Sequence, residues 1–390
     1  MINVAMLTPF FTGQLGGPYN VIMDLVPYLE NFGVASKVFT TSSIKKYGKK
    51  YTEFYERKFS HFEIFRFHSF IRFKEYRISF EMLPYMVKHE KDIDIIHSHA
   101  LRSYQEDIGA IFCLAKKKPL VISPHGGIAI NWDYRDKIPK MISDKSFGII
   151  KKHLKPHYIA VTKMEIPLIK NLGVDEEHIH FIPHGVNTEI FKVVDSNQLK
   201  SKLGLETSKI ILYVGRIAKG KGVDILIHLF SNVRKEHKDA KLVIVGNDGG
   251  FLSIIKKMIN KYNLTNDVIL TGFISKNNLP QYYSMADLVI YPSRQEIFGL
   301  VLCEAMACRK PVIGSNILGP SEIIINGETG FTSDFKNIPE LSNMINNLLD
   351  DKKKLKELGE KGYQRVIKYY TWKKCAISHS NLYKMIQYSL

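Results

Sequence analysis

The sequence predicts an α/β fold made of two doubly wound, Rossmann-like domains that face each other across a cleft. Apolar runs typical of buried parallel strands alternate with helix patterns along both halves of the chain. A strand, a glycine-containing loop and a helix follow one another three times, with loops at residues 10–18, 215–222 and 292–299. The length of 390 residues suits two or three domains.

A polar segment, residues 195–198, precedes a new apolar strand and marks a domain boundary. We predict an N-terminal domain over residues 1–190 and a C-terminal domain over residues 191–370, followed by a last helix over residues 371–390.

The amino-acid composition limits the classes of partner and the cellular compartments that we expect for the protein. The net charge of +17 favours anionic partners, which are phosphate ligands, an acidic membrane face or nucleic acid. No apolar stretch approaches the ~20 residues that a membrane span needs, and residues 1–7 read as a first strand because they lack the basic flank of a signal peptide. The four cysteines have neither metal-site nor disulfide-framework spacing, so we expect a reducing, cytoplasmic setting.

The first half of the chain contains seven apolar runs with strand character, and a helix pattern over residues 19–31 follows the first of them. The runs are residues 2–8, 34–41, 62–68, 93–97, 120–123, 158–162 and 180–182. The loop before the helix holds Gly13, Gly16 and Gly17, which would let the backbone approach a phosphate. It lacks the full G-x-G-x-x-G pattern, and a tight turn that requires glycine is the alternative.

Histidines follow three of these strands: His97 and His99, then His125, then His184. In a parallel sheet they would share one edge, facing the cleft. His97 or His99 could equally be a packed structural histidine. The four residues lie on separate loops without ligand-like spacing, so we predict no metal site.

Residues 43–77 combine ten Lys or Arg with four Glu and eleven aromatic residues. This composition suits attachment to an anionic membrane surface, with single-stranded nucleic acid and an ordinary solvated surface as alternatives. Within it, Phe62, Ile64, Phe65 and Phe67 look like a strand with its own core contacts. We predict membrane proximity and no nucleic-acid partner.

In the second half, the strand at residues 210–214 leads into Gly215-Arg-Ile-Ala-Lys-Gly-Lys-Gly222 and a helix. Arg216 and Lys221 could neutralise one diphosphate together, as a metal does elsewhere, although a surface charge run is the alternative. The role of Lys219 stays open. Strands follow at residues 241–246, 268–272, 286–291 and 311–314, and helices fill residues 338–389.

The loop after residue 291 carries Glu296 and Gly299, and the next helix carries Glu304. Gly299 permits close approach of the backbone, and the N–H groups of Leu300 and Val301 open the helix as an anion site. An anion site flanked by two carboxylates suits a ligand with phosphate in the middle and hydroxyls at both ends, such as a nucleotide-sugar. Two solvated surface charges are the alternative.

The spacing of Glu296 and Glu304, with Phe298-Gly299-Leu300 between them, resembles the signature of the retaining, two-domain (GT-B) glycosyltransferases of family 4. The likeness extends to Gly215–Gly222 and covers nearly the whole chain. It implies that the last helix packs back on the first domain.

The resemblance also implies roles for individual residues. Glu296 would bind hydroxyls of the donor sugar and Glu304 the ribose, while Arg216 and Lys221 hold the donor diphosphate and His125 lies beside the sugar. Further donor contacts would come from a set of loop and helix-start residues: Gly16, Gly17, Phe273, Ile274, Phe298, Gly299, Leu300 and Val301.

The function implied is retaining transfer of a hexose-type sugar from a nucleoside diphosphate donor to a glycolipid or oligosaccharide acceptor, without a metal or other cofactor. The protein would work in the cytoplasm, at the inner face of the membrane if residues 43–77 bind lipid. Two alternatives remain: a sugar-nucleotide epimerase of the same architecture, and an inactive basic module that binds membrane or nucleic acid. Substitution of Glu296 or Lys221 separates them, because only an enzyme loses turnover.

Overall fold

The computed structural model describes residues 1–9, 11, 17–41, 55–58, 62–73, 76–128, 148, 150 and 152–389. The chain divides into two compact units, one formed by Met1–His184 with Trp372–Leu390 and the other by Gly185–Thr371. These divisions follow residues 184 and 371, where the sequence predicted 190 and 370. Gly16 and five of the ten basic residues of segment 43–77 lie outside the described residues.

Unit 1 is built on an eight-stranded sheet in the order β10-β9-β8-β7-β1-β2-β4-β3. All neighbours pair in parallel except β3 and β4, which are antiparallel. A separate antiparallel hairpin is formed by β5 and β6. The strands are β1 (Ile2–Thr8), β2 (Val34–Thr41), β3 (Tyr55–Lys58), β4 (Glu63–Phe67), β5 (Ile71–Phe73), β6 (Tyr76–Ile78), β7 (Ile95–Ser98), β8 (Leu120–Ile122), β9 (His157–Ala160) and β10 (Ile179–Phe181).

Helices join these strands, with short 3-10 turns at Glu90–Asp92, Lys163–Glu165 and Glu176–His178. The helices described in this unit are α1 (Pro18–Glu30), α2 (Met82–Lys88), α3 (Tyr104–Lys116), α4 (Ile166–Lys170) and, from the end of the chain, α13 (Trp372–Tyr388).

The first helix illustrates how the sequence produces this layer. Pro18 starts α1 with its φ already set for a helix, and Val21, Leu25 and Leu29 recur on one face and are buried. The last helix, α13, packs on α1, and the Ser380 hydroxyl donates to the Phe32 carbonyl at 2.9 Å. The end of the chain therefore completes the core of unit 1.

Unit 2 is a six-stranded, fully parallel sheet in the order β13-β12-β11-β14-β15-β16. Its strands are β11 (Lys209–Val214), β12 (Ala240–Val245), β13 (Val268–Gly272), β14 (Leu288–Tyr291), β15 (Val312–Ser315) and β16 (Phe331–Ser333). Its helices are α5 (Asn197–Leu203), α6 (Val223–Glu236), α7 (Leu252–Lys261), α8 (Leu279–Met285), α9 (Leu300–Ala307), α10 (Leu318–Ile323), α11 (Ile338–Asp350) and α12 (Lys352–Tyr369), with a 3-10 turn at Lys219–Lys221.

The strand order of unit 2 reverses between β11 and β14, which are hydrogen-bonded neighbours. One crossover leaves β11 toward β12, and the other leaves β14 toward β15, on the opposite side. Open α/β sheets bind ligands beyond the carboxyl ends of the strands at such a switch point. The loops after residues 214 and 291 both begin there.

The predicted class, two doubly wound α/β domains, is confirmed. The strand at residues 62–68 is β4, and Phe62, Ile64, Phe65 and Phe67 are all buried. The short strands β3, β5, β6 and β16 were not predicted, because their sequences, YERK, IRF, YRI and FTS, mix charged or polar residues with apolar ones and do not form apolar runs. No helix in the described part of the chain is long and apolar enough to cross a bilayer.

Candidate active site

The two loops at the switch point of unit 2 are tied to each other by Arg294. Its guanidinium binds both carboxylate oxygens of Asp224 (2.8 and 2.7 Å) and donates to the Lys219 carbonyl at 2.8 Å. Its backbone N–H donates to the Gly220 carbonyl at 2.9 Å. A bidentate guanidinium–carboxylate pair fixes orientation as well as distance. The loop after β11 and the loop after β14 therefore form one preorganised structure.

Gly222 allows these loops to approach. It has a φ of 69°, and a Cβ added there would lie 1.9 Å from the Pro292 carbonyl oxygen. Both the left-handed backbone and the contact exclude any other residue. The glycine that closes the basic loop is thus a packing requirement of the site.

Lys221 and Glu296 form an ion pair inside this structure. The Lys221 ammonium lies 2.8 Å from Glu296 Oε2, and the two side chains are 22% and 18% exposed. The Tyr291 hydroxyl donates to the same oxygen at 2.6 Å and accepts from Lys221 at 3.1 Å. The predicted diphosphate cation and the predicted sugar-binding acid are therefore in direct contact, with a tyrosine bonded to both.

Two stacked tyrosines support this cluster from the ends of adjacent strands. The rings of Tyr213 and Tyr291 lie 6.0 Å apart at 21°. The Tyr213 hydroxyl donates to the Arg216 carbonyl at 3.0 Å, which holds the backbone of that predicted phosphate-binding residue. Burial, followed by the charge of Glu296, raises the pKa of both phenols. Both therefore stay protonated and act as donors at neutral pH. The Arg216 side chain is exposed to solvent.

The helix start and the second carboxylate lie on α9. Gly299 precedes this helix with a φ of 98°, and Leu302 N–H donates to the Gly299 carbonyl at 2.9 Å. The N–H groups of the first turn, including those of Leu300 and Val301, are the ones that an α-helix leaves without an intrahelical acceptor. Glu304 Oε2 accepts from the buried Tyr283 hydroxyl at 2.7 Å, so this carboxylate is also anchored.

The remaining predicted contacts of unit 2 lie on neighbouring elements. Phe298 is buried, with its ring 5.8 Å from that of Tyr370. Phe273 and Ile274 directly follow β13, and the Phe273 side chain is 65% exposed. An exposed phenylalanine at the carboxyl end of the edge strand β13 is a surface on which a planar ring could stack. Its part in donor binding stays a prediction.

In unit 1 the four predicted histidines form a continuous stack. Ring centroids are separated by 4.1 Å between His97 and His99, 5.3 Å between His99 and His125, and 5.4 Å between His125 and His184. Trp372 follows His184 at 6.0 Å. His99 Nδ1 and His125 Nε2 share a hydrogen bond of 3.0 Å. The expectation that these loops meet at one edge therefore agrees with the geometry.

His97 is a packed histidine on an interior strand. Its Nδ1 lies 2.7 Å from the Tyr383 hydroxyl of α13 and its Nε2 lies 2.9 Å from the Ser123 hydroxyl. Both ring nitrogens are thus engaged in holding β7, β8 and the last helix together. Of the two roles that the sequence allowed for His97, the structural one is therefore correct. The predicted contact of His125 with a donor sugar stays a prediction.

The stack is uncharged at neutral pH. Burial, followed by the neighbouring imidazoles, lowers the pKa of His125 to about 4 and holds the pKa values of His97, His99 and His184 well below their usual range. These histidines offer hydrogen-bonding atoms and do not offer positive charge. Positive charge that neutralises a diphosphate must therefore come from residues other than these histidines.

Two further features of unit 1 are a glycine before α1 and an acidic motif before β7. Gly17 adopts a φ of 50° directly before α1. An Asp-x-Asp pattern, Asp92-Ile93-Asp94, lies at the amino end of β7. There Asp94 Oδ2 accepts from the backbone and side-chain amides of Asn3 at 2.8 and 3.1 Å. These carboxylates stabilise the strand starts, away from the histidine stack.

Comparison with known proteins covers both units. Residues 15–190 match the family described as Glycosyltransferase Family 4, and residues 195–365 match the one described as Glycosyl transferases group 1. An uncharacterized glycosyltransferase from Methanocaldococcus jannaschii is 30% identical over 301 residues, which are 75% of each chain. The chain belongs to glycosyltransferase family 4.

Other relatives of this glycosyltransferase match over shorter stretches. Alpha-D-kanosaminyltransferase from Streptomyces kanamyceticus is 33% identical over 179 residues, 45% of this chain and 46% of that protein. The lipopolysaccharide 1,2-N-acetylglucosaminetransferase of Salmonella typhimurium is 31% identical over 207 residues, 51% of this chain and 54% of that protein. The matched region thus spans about half the length of these curated relatives.

Solved structures share the fold of the glycosyltransferase along its whole length. Sucrose-phosphate synthase from Thermosynechococcus elongatus has a TM-score of 0.80 at 22% identity, with 100% of both chains covered. Anabaena HepE in complex with UDP-glucose has a TM-score of 0.78 at 19% identity, also with 100% of both chains covered. At these identities the likeness establishes the GT-B fold alone.

Replacing Tyr291 with Phe removes one hydrogen bond to the Glu296 carboxylate and keeps the aromatic ring that stacks on Tyr213. A hydrogen bond to a charged group contributes about 1.5–3 kcal/mol, so we expect kcat/KM for sugar transfer to fall by about ten-fold or more. Steady-state kinetics check this. Tyr262→Phe, remote from the loops, is the control. Equal activity of both variants would show that Tyr291 does not position Glu296.

The neutral histidines predict acid-sensitive stability of unit 1. Their pKa values are lower in the folded state than the usual ~6.5, so stability is full above that value and decreases as pH falls toward the folded values. Each such histidine removes up to about 1.4 kcal/mol per pH unit, and buried Glu165, with its pKa raised to about 7, acts in the opposite direction.

Trp372 is buried in unit 1, and residues 185–371, which form unit 2, contain no tryptophan, so denaturant unfolding followed by tryptophan fluorescence reports on unit 1. The free energy of unfolding should decrease steadily from pH 7 to pH 5. A flat or rising profile over that range would contradict the burial of neutral histidines.

Proposed function

We propose that this glycosyltransferase is a retaining enzyme that moves a hexose-type sugar from a nucleoside diphosphate donor to a glycan or lipid-linked acceptor. The observation that carries the proposal is the contact between Lys221 and Glu296, made at the switch point of unit 2 beside the start of α9. A cation, a carboxylate and a helix start in one place suit a sugar diphosphate and few other ligands.

The leaving diphosphate would be stabilised by Arg216, Lys221 and the first turn of α9. Lys221 is bound to Glu296, and a diphosphate with its larger negative charge would compete for the ammonium. Tyr291 would keep its bond to Glu296 while Lys221 turns to the phosphates. The charge that develops on the leaving group is thus met by fixed protein groups, and we propose that neither a metal nor another cofactor is needed.

Glu296 would orient the sugar through its hydroxyls and would not attack it. The Lys221 ammonium and the Tyr291 hydroxyl already donate hydrogen bonds to Glu296 Oε2. A carboxylate held in this way is a better acceptor of hydrogen bonds than a nucleophile. We propose that the bond from the anomeric carbon to the phosphate oxygen breaks as the acceptor oxygen bonds on the same face. The acceptor proton passes to the departing phosphate oxygen, which gives retention. Glu304, anchored by Tyr283, would bind the ribose.

The donor and the acceptor to test first follow from the relatives and from an exposed apolar face of unit 1. HepE was solved with UDP-glucose, and one relative acts in lipopolysaccharide assembly by its name, so UDP-sugars and lipid-linked glycans come first. Phe70, Ile71 and Phe80 are exposed at and beside the β5–β6 hairpin, each more than half accessible. Together with the basic residues of segment 43–77 they support binding to an anionic membrane at the cytoplasmic face.

A transfer assay tests the proposal. UDP-sugars are offered with lipid-linked acceptors, with and without anionic vesicles, to the wild type and to Lys221→Met and Glu296→Gln. We expect turnover to fall about 100-fold or more in both variants, because each loses a group that acts on the reacting diphosphate or sugar. Vesicles should raise the rate of the wild type.

Lys241→Met is the matched control, since Lys241 pairs with Asp267 at 2.8 Å near the amino end of β12. It should retain wild-type turnover. Undiminished turnover in the Lys221 and Glu296 variants would contradict the roles proposed for these residues. Absence of donor turnover in the wild type would favour an inactive binding module, and an epimerised nucleotide-sugar as product would favour an epimerase.

A further inference from the structure

His99 is a buried histidine to which the proposed transfer reaction gives no role. It follows β7 and is 1% exposed, and its backbone N–H donates to the Leu7 carbonyl of β1 at 2.8 Å. On one side its ring lies 4.1 Å from that of His97. On the other side its Nδ1 lies 3.0 Å from His125 Nε2. The His99 ring is therefore held between a packed histidine and the histidine that is predicted to lie beside the donor sugar.

The rings of His99 and His125 meet through their nitrogens. Their centres are 5.3 Å apart, their planes differ by 15°, and the two facing nitrogens are 3.0 Å apart. These values place both nitrogens close to the line that joins the ring centres, which is the direction in which an imidazole N–H or lone pair points. Because a neutral imidazole has one N–H and one bare nitrogen, the direction of this hydrogen bond fixes where both rings carry their protons.

The surroundings of His99 Nε2 decide that direction. This nitrogen is buried and has no hydrogen-bond partner among the described residues. If His125 donated, His99 would carry its proton on Nε2 and would leave an N–H unpaired in the interior. Buried N–H groups without an acceptor are rarer in proteins than buried acceptors without a donor. The favoured arrangement therefore has His99 donating from Nδ1, which leaves His125 with its own proton on Nδ1.

The backbone around His125 is held by the same loop that carries His99. His125 has a φ of 46°, which is unfavourable for a residue with a side chain, and the Gly127 N–H donates to the Pro124 carbonyl at 2.9 Å. Such a conformation persists where neighbouring contacts hold it in place. The Arg102 guanidinium, from the loop after β7, donates to the Gly127 carbonyl. His99 and Arg102 thus fix the ring and the backbone of one turn.

We propose that His99 is a positioning residue that fixes the tautomer of His125, so that His125 presents Nδ1–H as a hydrogen-bond donor to an oxygen of the bound sugar. The His125 ring is partly exposed, and its Nδ1 has no partner within the described part of the chain. That the oxygen belongs to a sugar rests on the proposed function, whereas the tautomer does not. A ring nitrogen that carries a proton cannot accept another, so His125 would orient the sugar and would not act as a base through Nδ1.

The tautomer can be measured directly by long-range ¹H–¹⁵N spectra of protein labelled in its histidine rings, because N–H and bare nitrogens have distinct ¹⁵N shifts. The His125 signals are identified by their loss in His125→Asn, since asparagine tolerates a positive φ. We expect the proton of His125 on Nδ1 in the wild type at neutral pH without any ligand. A proton on Nε2 of His125 would overturn the proposal, whatever the activity of the enzyme.

Two variants test the part played by His99. His99→Phe keeps a ring and removes the donor, so the proton of His125 should move to Nε2, and kcat/KM for sugar transfer should fall by about ten-fold. His99→Asn returns an amide N–H close to the position of Nδ1 and should restore both the tautomer and most of the activity. His228→Phe, the same exchange at an exposed histidine of unit 2, is the control and should change neither.

The spectra are recorded without substrate, so failure of the proposed sugar transfer would leave them unchanged and the two failures can be told apart. The wild-type spectrum decides the direction of the hydrogen bond even if His99→Phe does not fold. An unchanged His125 tautomer in folded His99→Phe, or full activity despite a changed tautomer, would contradict the positioning role.

Discussion

The ion pair of Lys221 and Glu296 is the interaction on which the rest of the site depends. It brings together a cation from the loop after β11 and an acid from the loop after β14, at 2.8 Å, in a place where both side chains are largely withdrawn from water. Such a pair persists only where its partners are held in position, since both charges lose hydration. The clamp of Arg294 on Asp224, the close packing at Gly222 and the Tyr291 hydroxyl together hold them.

The two units offer different kinds of surface. In unit 2 the charged side chains of Lys221 and Glu296 are held in place at the switch point by short hydrogen bonds, and the first turn of α9 adds its partial positive charge. In unit 1 the stack from His97 to His184 is neutral because burial disfavours the imidazolium form. A phosphate-bearing ligand would therefore be attracted to unit 2. The neutral imidazoles of unit 1 offer hydrogen bonds that do not change between pH 6 and 8.

Short patterns in the sequence predicted much of this arrangement. Strand runs, glycine loops and paired charges are short-range features, so the order of elements, the basic loop with Arg216 and Lys221, and the acids at Glu296 and Glu304 could be found from the sequence. Contacts that depend on which strands pair could not be found from the sequence. Tyr213 and Tyr291 are 78 positions apart and look like ordinary apolar strand residues until β11 and β14 become neighbours. His157 and His180 were likewise unremarkable until β9 paired with β10, where their ring nitrogens lie 2.9 Å apart.

The most direct test of the ion pair compares the affinities of UDP and UDP-glucose for the wild type and Glu296→Gln by calorimetry. If Glu296 restrains Lys221 and binds the sugar, the variant binds UDP as tightly as the wild type or more tightly, and loses the extra affinity for UDP-glucose. If the variant instead weakens UDP and UDP-glucose by the same factor, Glu296 neither competes for Lys221 nor reads the sugar, and the account is wrong.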